Sequence, residues 1–113
     1  MKKYSGEVVF QGDIAIELAS DLPAGCAEIK PTDGKHICGH SETGNFHFVD
    51  AAAARFYGTR DPLVCYLTVS EKYADLVHDR AIEAHETWRL PTGCYRISRQ
   101  REWTPEGWRA ISD

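Results

Sequence analysis

The chain has 113 residues, 42% hydrophobic and 27% charged, with a net charge of −4 from 13 basic and 17 acidic side chains. That balance is ordinary for one globular domain with a single core, expected here over residues 1–113. It excludes a generally basic nucleic-acid binder, and no apolar run approaches the ~20 residues of a spanning helix, so no membrane role is expected.

Val8-Val9-Phe10 leads to a Gln11-Gly12-Asp13 turn. After it Ile14, Ile16 and Leu18 alternate with Ala15, Glu17 and Ala19, the period of a half-buried strand. Leu22-Pro23-Ala24-Gly25 reads as a turn, Cys26 to Lys30 as a strand and Pro31-Thr32-Asp33-Gly34 as another turn. His36-Ile37-Cys38 follows, and then an aromatic strand over Phe46 to Val49. Residues 51–57 permit one or two helical turns capped by Asp50, or a strand carried by Phe56 and Tyr57. Leu63 to Val69 is a strand rich in β-formers. Ser70 to Val77 permits a short helix or a strand. His85 to Leu90 reads as a strand, Pro91-Thr92-Gly93 as a turn and Cys94 to Trp103 as a long strand.

About eight short strands with turn signals every 8–15 residues predict an all-β barrel or sandwich, with room for one or two short helices. Phe46, Phe48, Tyr66, Trp88 and Tyr95 are expected in or near its core. Leu22–Ile29 and Leu90–Ile97 share five of eight positions. Equivalent hairpin corners would produce this echo, and so would two independent uses of a good L-P-x-G turn.

The four cysteines, Cys26, Cys38, Cys65 and Cys94, include no C-x-x-C pair, which removes the zinc-ribbon and thioredoxin signatures. The opening Met1–Glu7 leads into too short an apolar stretch for a secretory leader, so reduced thiols in the cytoplasm are expected. No phosphate loop, dinucleotide fingerprint, nucleophile elbow or helical zinc pair is present, and no catalytic residue is assigned.

The histidines are a different matter. His40, Glu42 and His47 lie close together, and His78 and His85 stand near Glu83 and Glu86. Imidazole is the commonest protein metal ligand. His40, His47, His78 and His85 are therefore the candidate ligands of a divalent metal, if a turn at Thr43-Gly44 brings His40 to His47. The alternative is that they are solvent-facing or hydrogen-bonded.

Charge is unevenly spread. Residues 71–86 carry five acids against Lys72 and Arg80, and residues 87–113 carry five arginines against three acids. Trp88, Trp103 and Trp108 interleave with those arginines. Arginine and tryptophan together suit protein interfaces and single-stranded nucleic-acid platforms. Arg96, Arg99, Arg101, Trp103 and Trp108 are the candidate binding residues. On a strand Arg99 and Arg101 share a face with Tyr95, Ile97 and Trp103, so each needs a carboxylate partner. Residues 71–86 or Glu42 could supply one internally, and a protein partner or a second copy could supply one externally. Nucleic acid ranks below both.

Two resemblances bear on these readings. The strings Gly39-His40-Ser41-Glu42-Thr43-Gly44-Asn45-Phe46-His47 and Leu90 to Trp103 resemble E-x-T-G-H-x-H and L-P-x-G-x-Y-x-V-x-R-Q-R-E-Y. These are patterns of small uncharacterised bacterial and phage proteins. Asn45 stands where the first histidine of H-x-H would be. The resemblance implies a bacterial or phage chain, in the host cytoplasm if phage-encoded, and carries no activity. Gly39, Asn45-Phe46-His47, Ala51 and Gly58 also keep the spacing of the first cupin motif, and Pro91-Thr92-Gly93 that of the second. This resemblance implies a barrel with a metal, and His47 alone keeps a ligand residue type. The expectation is a binding or interaction module contacting a protein or itself through its Arg/Trp-rich C-terminal strand. The alternative is a cupin-like metal-binding protein or enzyme.

Overall fold

The computed structural model describes residues 1–40, 46–79, 85–99, 101–104 and 107–110, with His40 and the last two segments described by their backbone. Eleven strands occur among them: β1 Lys2–Lys3, β2 Val9–Gln11, β3 Ile14–Ala19, β4 Ala27–Ile29, β5 Lys35–His40, β6 Phe46–Asp50, β7 Ala54–Gly58, β8 Val64–Asp79, β9 Trp88–Arg99, β10 Arg101–Thr104 and β11 Gly107–Ala110. The described residues contain no helix, so the all-β expectation holds. Residues 51–53 form a turn, and the 54–58 segment is strand. Asp50 opens that turn, its carboxylate accepting from the Ala52 N–H at 2.9 Å.

The main sheet runs β2-β3-β9-β8-β6-β5, with β1 added to β9 and the β4–β7 pair to β8. It curls but does not close, which corrects the barrel expectation. No backbone ladder joins the end strand β2 to β5 or β6 among the described residues. Side chains span that seam instead.

The curl comes from β8 and β9. Their pairing is irregular between Val69 and Tyr73, opposite Gly93 and Pro91. Before this level Leu67 and Val69 point inward, and after it Ala74, Leu76 and His78 do. The inward parity thus switches from odd to even. β9 makes the reverse switch, from Leu90 to Tyr95 and Ile97. An irregularity of this kind bends a strand and increases its twist, so both strands serve two wings that face each other. Pro91-Thr92-Gly93 is therefore part of a continuous strand and not a turn, unlike Leu22–Gly25. The two L-P-x-G echoes are not equivalent corners.

Between the wings lies a core built on Ile14, Ile16, Val49, Leu67, Leu76, Leu90, Tyr95 and Ile97, each 1% exposed or less. Tyr66 and Tyr95 are buried as expected. Phe46, Phe48 and Trp88 are half-buried, and on β6 it is His47 and Val49 that face inward. Leu18 departs from its strand's alternation and is 55% exposed.

Two glycines are structurally required. Asp33 and Gly34, at φ 51° and 74°, form the tight turn before β5, and their dipeptide is the one that two successive positive φ values select. Gly39 lies beside a bulge in β5, where a Cβ would stand 3.3 Å from both His47 and Ile14. Its missing side chain lets β5 approach the seam.

The long C-terminal strand expected over Cys94 to Trp103 ends at Arg99 in the main sheet. β10 and β11 form a separate ribbon, pairing Arg101 with Ala110, Glu102 with Arg109, Trp103 with Trp108 and Thr104 with Gly107. No described helix is long and apolar enough to cross a membrane.

Candidate functional site

The seam begins with β2. Its parity turns Val9 and Gln11 inward and leaves Phe10 58% exposed. Gln11 is 1% exposed, and its amide nitrogen donates to the Leu76 and Glu86 carbonyls at 2.8 and 2.9 Å. Both amide protons are thereby used, which fixes the amide orientation. Its oxygen faces His47 Nδ1 at 2.8 Å. The other ring nitrogen, His47 Nε2, lies 3.1 Å from Asp13 Oδ1. Both ring nitrogens of His47 thus face an oxygen, one from the Gln11 amide and one from the Asp13 carboxylate. Asp13 Oδ2 in turn accepts from Arg99 Nε at 2.7 Å.

Asp13 and His47 are each 3% exposed at the side chain, and Arg99 is 21% exposed. Burial opposes the charge on Asp13. The hydrogen bonds from His47 and Arg99 together outweigh it and hold the carboxyl below its ordinary 3.8. Gln11, Asp13, His47 and Arg99 thus join β2, the turn after it, β6 and β9 into one hydrogen-bonded chain across the open seam.

Three of the four candidate metal ligands meet here. His47 stacks on His78 with ring centroids 4.3 Å apart, and His78 on His85 at 5.0 Å. His78 Nδ1 accepts from the His85 backbone N–H at 3.1 Å. His40 is opposite Phe46 in the β5–β6 pairing, one step beyond the pair of Gly39 with His47. The proposed turn at Thr43-Gly44, like Glu42 and Glu83, falls outside the described residues. No described group of three or more His, Cys, Asp or Glu side chains is placed to hold a metal ion. The fifth histidine, His36, is 4% exposed. Its Nε2 donates to the Ala54 carbonyl at 3.0 Å and ties β5 to β7.

The arginines of β9 have internal partners. Arg99 lies among inward-facing neighbours, as its parity with Tyr95 and Ile97 implies. Among the described residues its carboxylate partner is Asp13; Glu42 and residues 80–84 lie outside them. Arg96 pairs with Glu17 at 3.0 Å on the outer face, where the two side chains are 37% and 41% exposed. Arg89 does draw on the acidic segment: it grips Asp75 with two bonds of 2.8 and 3.0 Å and lies over the Tyr73 ring. Arg101, Trp103 and Trp108 belong to the ribbon, which makes no ladder with the main sheet among the described residues.

Gln11 and Asp13 were not among the candidates, because a Q-G-D string reads as turn chemistry. The available signal was parity: Gln11 is two residues from Val9 on a strand, and Asp13 is adjacent to the first inward residue of β3.

Fold and site together define an all-β domain in which a buried, charged side-chain chain closes the seam of a curled sheet. The chain belongs to the family described as Domain of unknown function (DUF8820), whose model matches residues 10–100. The matched segment ends where the C-terminal ribbon begins. No curated protein and no solved structure matches the chain.

Proposed function

We propose that the protein is a small binding module of a bacterial or phage cytoplasm that associates with a second copy of itself through its C-terminal ribbon. The observation that carries this reading is the β10–β11 pairing, a two-stranded ladder that joins no other described strand. An isolated two-stranded hairpin is marginal in water, and its free edges are ready templates for another chain. The segment 101–110 holds Arg101 and Arg109 against Glu102 and Glu106, a neutral and self-complementary set. Trp103 and Trp108 occupy one register position, and tryptophan and arginine are the residue types that dominate contact energies. Arg101, Trp103 and Trp108 are the contact residues. Arg96 stands at the margin, and Arg99 anchors the root of the ribbon through Asp13.

Light scattering across a concentration series tests this. The chain should move from monomer to dimer mass, and Trp103→Ala with Trp108→Ala should hold it monomeric with an unchanged far-UV circular dichroism spectrum. A strict monomer at the highest attainable concentration overturns self-association. A monomer that binds a different protein through the same residues replaces it with a heterologous partner.

The histidine stack favours a second reading, a divalent metal at His78 and His85 with His40 and His47. His47 would have to exchange Gln11 or Asp13 for the ion. Stoichiometric Zn, Mn, Fe or Ni in protein purified without a histidine tag would support it, and loss of that metal in His78→Ala would locate it.

A further inference from the structure

A cavity of about 290 Å³ opens between β5 and the start of β8, with Ile37, Phe56, Leu63 and Arg99 among its walls. Two thiols line it. Cys38 sits at the bulge of β5, 9% exposed, and Cys65 is the first inward residue of β8, half-buried and packed against the core. The two strands are not paired with each other, so the thiols meet across the interior. Cys65 Sγ lies 3.8 Å from the Cys38 carbonyl oxygen, and Cys38 Sγ lies 3.7 Å from that of His36. Each thiol thus contacts a backbone carbonyl of β5.

We propose that Cys38 and Cys65 form a peroxide-sensitive modification site, oxidised to a disulfide that staples β5 to β8. Cys65 is the more accessible thiol and reacts first. Its thiolate attacks a hydroperoxide, the O–O bond breaks, and the products are the Cys65 sulfenic acid and water or an alcohol. Cys38 then attacks the Cys65 sulfur. The S–O bond breaks, the S–S bond forms and a second water leaves with the Cys38 proton. The peroxide takes up the two electrons lost by the thiols.

The roles follow from position. The neighbouring Cys65 thiol and burial push the Cys38 thiol well above its ordinary value, so Cys38 waits as a protonated resolving partner. Cys65 opens onto the cavity that admits the oxidant. The cross-link would join residues 27 apart in sequence and fix the approach of the two wings at a place where no backbone ladder holds them.

Full-length protein is treated with hydrogen peroxide, alkylated, digested without reduction and mapped by mass spectrometry. The expected result is a linked peptide pair containing Cys38 and Cys65, lighter by two hydrogens, which dithiothreitol separates. In Cys38→Ala, dimedone should label Cys65 as the trapped sulfenic acid. Reduced Cys38 and Cys65 after treatment would overturn the proposal. So would Cys65 carried directly to sulfinic acid in the wild type, or bonds formed only at Cys26 and Cys94. The wild-type map decides the matter even if the alanine variant does not fold.

Discussion

Asp13→Asn is the sharpest perturbation of the seam. The asparagine keeps the shape of the side chain but turns one oxygen into an NH2 group and removes the charge. That NH2 takes the place of a carboxylate oxygen at either His47 Nε2 or Arg99 Nε–H, and it cannot accept a hydrogen bond. The bonds at risk measure 3.1 and 2.7 Å, and Asp13 and His47 are both 3% exposed. A charge-assisted hydrogen bond contributes about 1.5–3 kcal/mol, and removing one partner from a buried pair costs roughly 3–5 kcal/mol. Arg99 is 21% exposed, so water recovers part of its loss, and the expected cost lies near the lower end, about 3 kcal/mol. In a chain of this size that lowers Tm by roughly 10–15 °C. Urea titration and thermal melting of the two proteins measure it. A double change, Asp13→Asn with Arg99→Met, should cost less than the sum of the single changes by more than about 1 kcal/mol.

The sign with pH is fixed as well. The folded pKa of Asp13 lies below 3.8, so its contribution is present above that value and is lost as pH falls through the lowered pKa. The gap between wild type and Asp13→Asn should hold at neutral pH and shrink below about pH 4. A variant within about 1 kcal/mol of wild type at neutral pH would refute the view that this network closes the seam.

Other changes separate core from surface. Leu67→Ala, at 0% exposure, should cost about 2–5 kcal/mol, whereas Leu18→Ala, at 55%, should stay within about 0.5 kcal/mol; denaturant midpoints distinguish them. Gly39→Ala puts a methyl 3.3 Å from the His47 ring and Ile14, and should cost roughly 1–3 kcal/mol, read in the same way. Tyr95, buried against Tyr4, has its phenol pushed up to about 12, so ultraviolet titration should show one tyrosine ionising last. Stability from Tyr95 is full below the ordinary 10.0 and falls as pH rises towards 12, and Tyr95→Phe should flatten that decline.

The local elements were legible where chemistry is local. The β2–β3 hairpin, the Asp33-Gly34 turn and the strand from Val64 follow from turn residues and period two. β6 was not legible in the same way. Its aromatic residues suggest that Phe46 and Phe48 face the core, but the curl of the sheet turns His47 and Val49 inward. A buried histidine is tolerated there because Gln11 and Asp13 satisfy it from 36 and 34 residues away, a partnership that no window on the sequence contains. Arg99 needed a carboxylate, and its parity said so. The identity of that carboxylate, 86 residues upstream, depended on the path of the sheet. The kink shared by β8 and β9 hid in the same fashion: Pro91-Thr92-Gly93 has the composition of a turn, but it is the point where a long strand changes the face it buries.

Self-association through the ribbon is tested most directly by hydrogen exchange of the amides in residues 101–110 at several protein concentrations. Backbone groups of an isolated two-stranded ribbon exchange freely, and docking onto a second copy slows them. Self-association should give protection that rises with concentration in step with the dimer mass, while amides of β3, β8 and β9 stay protected throughout. Exchange in 101–110 that is fast at every concentration, or slow and indifferent to it, would rule out self-association through the ribbon.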